Sequence, residues 1–209
     1  MAFMKLDVNA AKANDAAMRI SQAGKYTGTF TLAEYVENKT KGSTGINLEF
    51  VADDGAKANF YINLSYGGNT QNDGGYRTLN AIMACLRLRE LSDPVEAKIT
   101  KRDKDTKKDV EQNGLIFADL QKRIGVVVQI ELGEYEGKPT ENPRLYTVFE
   151  ADTELLAAEI LEKVTKPEKL ANVVAYIAQK GVIDKRQKAH PKQEAQAFNA
   201  SDDDFDLPF

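Results

Sequence analysis

The segment between residues 25 and 64 constrains the fold most, because apolar and polar side chains alternate along it three times in succession. The apolar faces comprise Tyr26, Gly28, Phe30 and Leu32 in the first stretch, Ile46, Leu48 and Phe50 in the second, and Ala58, Phe60, Ile62 and Leu64 in the third. A period of two among β-forming residues predicts strands. Turn signals separate the stretches, from Asn38 to Ser43 and again at Asp53-Asp54-Gly55. We therefore expect the body to open with a three-stranded meander.

The period changes after the glycine-rich stretch from Tyr66 to Gly75, which we interpret as a flexible loop. The spacing of Leu79, Ile82, Met83 and Leu86 is typical of an amphipathic helix, and Ser92-Asp93-Pro94 is expected to end it. Residues 95–120 form a charged excursion, which we expect to be an extended hairpin or a mobile loop. The paired glycines lack the spacing of nucleotide-binding motifs, so no phosphate cradle is predicted.

Alternation then resumes from Ile124 to Leu132 as a fourth strand, and after a predicted loop from Gly133 to Asn142 a fifth strand covers Leu145 to Phe149. Three strands, a helix and two more strands is the order of the OB-fold. The predicted fold class is therefore mainly β with α: a five-stranded OB-fold Greek-key barrel with a helix between strands 3 and 4. An SH3-like barrel and an unrelated α+β domain share this order.

Two short helices are predicted on the outside of the barrel, Thr153 to Val164 and Pro167 to Lys180, with Gly181 capping the second. From Asp184 onward apolar periodicity stops and polar residues dominate, which is typical of disorder. We therefore divide the chain into a body, residues 1–183, and a disordered linker with an acidic tail, residues 184–209.

Composition argues against most enzyme classes. The 209 residues include one histidine, His190, and one cysteine, Cys85, so zinc, haem, iron–sulfur and Ser-His-Asp chemistry are poorly supplied. We expect a non-enzymatic protein without a cofactor. Cys85 lies in an apolar helical pattern, where a buried thiol in reducing cytoplasm is the expected state. No apolar stretch approaches the roughly 18 residues that a membrane span needs.

The chain ends in an acidic peptide with an apolar tip. Net charge is −4, and the last eight residues contain four aspartates, so the preceding 201 residues carry no net charge. Such a peptide can insert Phe209 into an apolar pocket while its carboxylates meet basic groups on a partner. The residues assigned to partner binding are Asp202, Asp203, Asp204, Asp206, Leu207, Pro208 and Phe209. A solubilising tail is the alternative, and a magnesium nuclease site is not expected on a disordered segment.

This terminus resembles the partner-recruiting tip of bacterial single-stranded DNA-binding proteins, an acidic run that ends in aliphatic-Pro-Phe. The resemblance covers about eight residues and implies recruitment of replication, recombination and repair proteins. The body departs from the bacterial proteins, because it lacks tryptophan and carries the excursion near 95–120 and two added helices. Its layout is similar to that of bacteriophage OB-fold single-stranded DNA-binding proteins.

Binding of single-stranded DNA requires aromatic rings on which bases stack and a basic groove for phosphates. Tyr61 is the leading candidate, because alternation places it on the polar face beside Lys57, where no core explains a large ring. Cross-strand support is the alternative role for this ring. The other DNA-binding candidates are Tyr35, Lys39, Lys41, Tyr66, Tyr76, Arg77, Lys101, Arg102, Lys104, Tyr135 and Tyr146. The excursion also carries aspartates, so a solvated hairpin is an equal alternative for its lysines.

The sequence therefore predicts a protein, monomeric or dimeric, that coats single-stranded DNA with little sequence preference. A strand-annealing recombination factor or nuclease accessory subunit is the alternative, and dependence of DNA cleavage on a divalent metal would separate the two. A third possibility is an adaptor whose barrel binds protein.

Overall fold

The computed structural model describes residues 19–67, 70–102 and 108–186, together with residues 5, 7, 8 and 106. Within them the chain forms nine strands, three helices and a 3₁₀ turn. The strands are β1 (Gly24–Asn38), β2 (Ser43–Ala52), β3 (Lys57–Tyr66), β4 (Thr70–Gln71), β5 (Val95–Arg102), β6 (Asp109–Ile116), β7 (Arg123–Tyr135), β8 (Lys138–Phe149) and β9 (Val182–Asp184). The helices are α1 (Asp73–Cys85), α2 (Ala157–Leu161) and α3 (Leu170–Lys180), and the 3₁₀ turn is Ala118–Leu120.

The predicted meander is confirmed. Strands β1, β2 and β3 pair antiparallel, and Ile46, Leu48 and Phe50 are buried in the core as expected. One detail is wrong, because the register of β1 shifts between Phe30 and Leu32. Beyond this irregularity Ala33 lies in the core in place of Leu32. A bulge changes which side of the sheet each later residue occupies, and period-two counting does not anticipate it.

The long, bent strand β1 joins two parts of one sheet. Its first half pairs with β7 and its second half pairs with β6, while β2 lies along its other edge. Strand β8 pairs with β7 and approaches β3 without forming a ladder with it. The mainly β class is therefore confirmed, but the described strands do not close into a barrel. The predicted five-stranded OB-fold is not confirmed.

Helix α1 follows the meander, as predicted, and buries Leu79, Ile82 and Cys85 against the core. Its bounds differ from the prediction at both ends. Asn72 caps a helix that begins at Asp73, so Gly74 and Gly75 lie in its first turn instead of in a loop. It ends at Cys85, well before Ser92, because Arg87 has a φ of 57° and its guanidinium bonds both oxygens of Glu150.

The excursion is an extended hairpin, β5–β6, which confirms one of the two predicted alternatives. It joins the rest of the sheet where Ile116 and Leu115 of β6 pair with Glu34 and Tyr35 of β1. The predicted loop from Gly133 to Asn142 is wrong. The strands β7 and β8 continue to a tight turn at Glu136 and Gly137, which have φ values of 51° and 74°. Positive φ at both central residues is the geometry of a two-residue hairpin turn.

Both C-terminal helices are shorter than predicted, and α2 packs against helix α1. Helix α3 packs on β1 and β7, where Leu170 and Ile177 form a second apolar cluster with Val127 and Phe149. The predicted capping position of α3, Gly181, is confirmed. Strand β9 then pairs parallel with β7. The predicted start of disorder at Asp184 is wrong for residues 184–186, because Asp184 belongs to β9 and the backbone amide of Lys185 bonds the oxygen of Leu132. The rest of the predicted linker and the acidic tail, residues 187–209, lie outside the described residues. No described helix is long and apolar enough to cross a membrane.

Candidate functional site

The outer face of the meander, defined as the side of β1–β3 opposite the core, carries the leading sequence candidate. Tyr61 of β3 pairs with Asn47 of β2, which in turn pairs with Glu34 of β1. Because directly paired residues of neighbouring strands point to the same side, these three side chains form a row across the sheet. Tyr61 is 52% exposed, as predicted for a residue outside the core. The row gives the outer face one large ring flanked by polar groups.

Tyr61 lies over a glycine of the neighbouring strand. A Cβ atom built on Gly45 would come within 2.5 Å of Tyr61 Oη and 2.6 Å of Tyr61 Cε2. No side chain larger than a hydrogen atom fits between the ring and the strand. The glycine therefore lets the ring rest along the sheet while half of its surface stays accessible. This is the arrangement in which a planar base can stack on the free side of the ring.

An open depression of ≈ 490 Å³ adjoins this ring. It lies between the β1–β2 turn and the end of β3. Its lining comprises Val36, Asn38, Lys41, Ser43, Tyr61, Asn63, Tyr66 and Gly67. Three predicted residues, Tyr61, Tyr66 and Lys41, thus share one site, and Lys39 lies in the same turn as Lys41. A depression of this size is within the range of pockets that hold small ligands.

Local hydrogen bonds shape this depression on two sides. The Asn38 side chain accepts bonds from the backbone amides of Thr40 and Lys41, each at 3.1 Å, and so orders the turn that carries Lys41. On the other side, Asn72 Nδ2 donates to the backbone oxygen of Asn63 at 2.9 Å. Because Asn72 also caps α1, the helix fixes the position of Asn63. Both sides of the depression therefore belong to ordered elements.

The lysines near the outer face form no ion pair with any described carboxylate. Among the described residues, no carboxylate forms a salt bridge with Lys39, Lys41 or Lys57, and all three are exposed. The arginines of the long central strands differ, since Arg123 bonds Asp53 and Arg144 bonds Glu131. The Lys185 and Arg144 hydrogen bonds hold the pKa of Glu131 below its usual range. Cationic charge is therefore compensated there and available beside Tyr61.

Glu34 and Lys101 form an ion pair between the meander and the β5–β6 hairpin. Lys101 Nζ lies 2.6 Å from Glu34 Oε1, and Glu34 is only 5% exposed. Its other oxygen, Oε2, is buried and lacks a hydrogen-bond partner in the part of the chain that the structure describes. The side chain of Ile99 is also buried here, packed over Gly114. The pair therefore fastens the hairpin to the same side of the sheet that carries Tyr61.

The structure separates the remaining candidates. The ring of Tyr35 packs edge-on against Phe117 and belongs to the partly buried core. Tyr76 and Arg77 are exposed in the first turns of α1, close to Asn72.

Tyr135 is 68% exposed next to the β7–β8 turn, and Tyr146 stacks on Tyr176 of α3, with ring centroids 6.0 Å apart. Lys57 is exposed at the start of β3, and Arg102 is the last residue of β5. Lys104 and the tail positions 202–209 lie outside the described residues.

Sequence reasoning missed Gly45, Asn63 and Glu34 as parts of the site. A glycine inside an otherwise β-forming strand is a signal of close approach, so Gly45 could have been found. Glu34 had no such signal, because its burial depends on a hairpin that starts some 60 residues later. The described residues contain no group of three or more histidine, cysteine, aspartate or glutamate side chains suited to a metal ion.

The chain matches no known family model, and no curated protein is significantly similar to it.

Proposed function

We propose that the protein binds single-stranded DNA on the outer face of β1–β3, without catalysing a reaction, and delivers partner proteins through its acidic tail. Bases stack on Tyr61, and phosphates contact Lys39, Lys41 and Lys57. The observation that carries this proposal is the half-exposed ring of Tyr61 resting over Gly45 beside uncompensated lysines. Its place of action is the bacterial or phage-infected cytoplasm, in replication, recombination and repair.

Stacking and charge account for binding without sequence preference. Every base has a π-face, so a ring that offers only stacking accepts all four. Lysine contacts to phosphate are equally indifferent to sequence, and they release counterions from the strand. Three amides flank Tyr61 on the outer face, Asn47 on β2 and Asn59 and Asn63 on β3, and amides both donate and accept hydrogen bonds. The outer face therefore has the chemistry of a general coat.

The stacking role is tested by titrating a fluorescent oligothymidylate into wild-type protein and Tyr61→Ala. We expect the substitution to weaken binding by about 1–3 kcal/mol with an unchanged melting temperature. Tyr135→Ala is the matched control, because this tyrosine is more exposed but lies on another hairpin. Equal losses of DNA affinity in the two variants would show that the binding site is not confined to the outer face. Absence of binding by the wild type would remove the proposal.

The charge contribution is tested by repeating the titration at several salt concentrations. Each lysine–phosphate contact on a single strand adds about 0.7 to the slope of log affinity against log salt. Lys39→Gln and Lys41→Gln should therefore each reduce the slope by about that amount. Lys166→Gln and Lys180→Gln are the controls, since both lysines are exposed near α2 and α3. Equal slope changes for all four variants would indicate a diffuse charge effect without a defined path.

The tail has a separate role in this proposal. Phe209 and its α-carboxylate form an apolar and anionic anchor, and small anchors of this kind dominate many interfaces. Phe209→Ala should abolish capture of replication or repair proteins from host extract, while DNA affinity stays the same. One extra residue after Phe209 should be nearly as damaging, because it moves the carboxylate away from the ring. Equal capture by all three proteins would reduce the tail to a solubility device.

A further inference from the structure

We propose that the depression beside Tyr61 receives one DNA base edge-on, and that the side-chain amide of Asn63 hydrogen-bonds the N–H group on that base's pairing edge. This proposal rests on the proposed DNA-binding function and names the group of the DNA that the site recognises. That group is the N–H donor on the pairing edge, which all four bases carry.

The amide of Asn63 is the unusual feature of this depression. Its Oδ1 atom is buried and has no hydrogen-bond partner among the described residues, although the residue lines an open site. A shielded acceptor without a donor is unfavourable, and native structures contain few of them. The backbone oxygen of Asn63, by contrast, is satisfied by Asn72 Nδ2 at 2.9 Å. The unsatisfied group is therefore the side chain, on a residue whose backbone is held in place.

The depression also supplies the other parts of a nucleotide site. Tyr61 and Tyr66 are both about half exposed on its rim, so a ring that stacks on either projects its edge inward. Lys41 also lines the depression, and no described carboxylate forms a salt bridge with it, so it can contact the adjoining phosphate. Gly67 packs against the backbone oxygen of Lys41, where a Cβ atom would come within 2.5 Å. This close approach brings the end of β3 against the β1–β2 turn at the depression.

An amide suits a site that must accept every base. The pairing edges of all four bases place at least one N–H donor next to an acceptor atom, and Asn carries one donor and one acceptor group. The terminal torsion of Asn is broad, so a partial rotation of the amide opens Oδ1 to the depression without burying Nδ2 in its place. Hydrogen bonding to the base edge is thus compatible with sequence tolerance, but it excludes a base whose N–H has been removed.

The test uses thymine, because N3–H is its one hydrogen-bond donor. Wild-type protein is titrated with oligothymidylate and with the same oligomer carrying N3-methylthymine. Oligodeoxyuridylate is the control, because it keeps N3–H and lacks only the methyl group at C5. We expect N3-methylation to weaken binding about three- to tenfold, the range of one ordinary hydrogen bond. Oligodeoxyuridylate should bind like oligothymidylate.

The same titrations with Asn63→Leu separate a hydrogen bond from a steric clash. Leucine has a similar size but no acceptor, so this variant should bind the methylated and unmethylated strands within about twofold of each other. An undiminished loss on methylation in Asn63→Leu would overturn the proposal. Asn63→Ser provides the same comparison if the leucine variant fails to fold.

The outcomes also separate this inference from the proposed function. If wild-type protein binds both thymine strands equally and Tyr61→Ala weakens both, DNA binding on the outer face stands and the role of Asn63 is overturned. If wild-type protein binds none of the strands, the proposed function fails together with this inference.

Discussion

The ring of Tyr61 fills the space that a side chain on Gly45 of the neighbouring strand would occupy. An ideal Cβ atom on Gly45 would lie 2.5 Å from Tyr61 Oη and 2.6 Å from the backbone oxygen of Ile62. The orientation of the proposed stacking ring therefore depends on the absence of one methyl group.

Gly45→Ala should displace the Tyr61 ring and weaken binding of single-stranded DNA by about 1–3 kcal/mol, as much as loss of the ring itself. The double variant with Tyr61→Ala should lose little more DNA affinity than either single variant, because the stacking contact is lost in all three. The clash of the new Cβ with the backbone oxygen of Ile62 remains in the double variant and should lower its melting temperature. Gly24→Ala is the control, since its Cβ would meet its closest neighbour at 3.9 Å. Affinities measured well below each melting temperature test the prediction. Additive losses would contradict it.

The meander was predictable because one side of each strand is buried. Ile46, Leu48 and Phe50 alternate with polar residues, and a single-face core requires this pattern. Strand β7 was predictable from its run of β-forming residues, although it buries both sides, with Val126 and Val128 in the main core and Val127 against α3. Where a segment buries one face, the alternation of its own residues was sufficient to predict the strand.

The errors arose where contacts distant in sequence decide the structure. The helix after the meander ends early because Arg87 pairs with Glu150, 63 residues away. Segment 133–142 resembled a loop because of Gly133, Gly137 and Pro139, yet proline is tolerated on a strand such as β8, which pairs on one edge only. In the candidate site, alternation identified Tyr61, but the burial of Glu34 depends on the β5–β6 hairpin. Pairwise geometry of this kind leaves no periodic signal.

Cys85 should be chemically inert in the folded protein. Burial raises the pKa of its thiol to about 12, and the negative charge of Glu150 adds to the rise. At pH 8 such a thiol has roughly two thousandfold less thiolate than one with an ordinary pKa near 8.5, and thiolate is the reactive form. Labelling with a disulfide reagent should therefore be slow in buffer and fast in urea. The chain has no other cysteine, so the signal is unambiguous. Rapid labelling without denaturant would contradict this burial.

Glu159 should stabilise the two C-terminal helices in a pH-dependent way. Burial alone would raise its pKa, but hydrogen bonds from the backbone amides of Leu156, Glu168 and Lys169 lower it below the usual range. A lowered folded pKa means that the carboxylate stabilises the fold fully above its unfolded pKa of about 4.3 and loses this effect as pH falls through the folded value.

Glu159→Gln should therefore lower the free energy of unfolding by about 1–3 kcal/mol at pH 7, and the difference from wild type should shrink below about pH 4. Urea denaturation at both pH values tests this prediction. Glu162→Gln is the control, because Glu162 is exposed and its 3.6 Å pair with Lys169 is a surface contact. A difference that is equal at pH 7 and pH 3.5 would show that the charge of Glu159 is not the cause.

The ion pair between Glu34 and Lys101 should control how firmly the β5–β6 hairpin is held. Removal of Lys101 leaves the carboxylate of Glu34 buried without a counter-charge, which is more costly than loss of the whole pair. Lys101→Met should lower the free energy of unfolding by about 1–3 kcal/mol, less than for a fully buried pair because the lysine is partly exposed.

Adding Glu34→Gln to Lys101→Met should recover part of that loss, because the unpaired charge is then gone. Hydrogen exchange gives a second measurement, since amides of β6 should exchange faster in Lys101→Met while those of β2 and β3 stay protected. Lys98→Met is the matched control, because this lysine lies on the same strand and no described carboxylate pairs with it. If Lys98→Met were as destabilising as Lys101→Met, the hairpin would be held by its backbone ladder and apolar contacts, with no contribution from the ion pair.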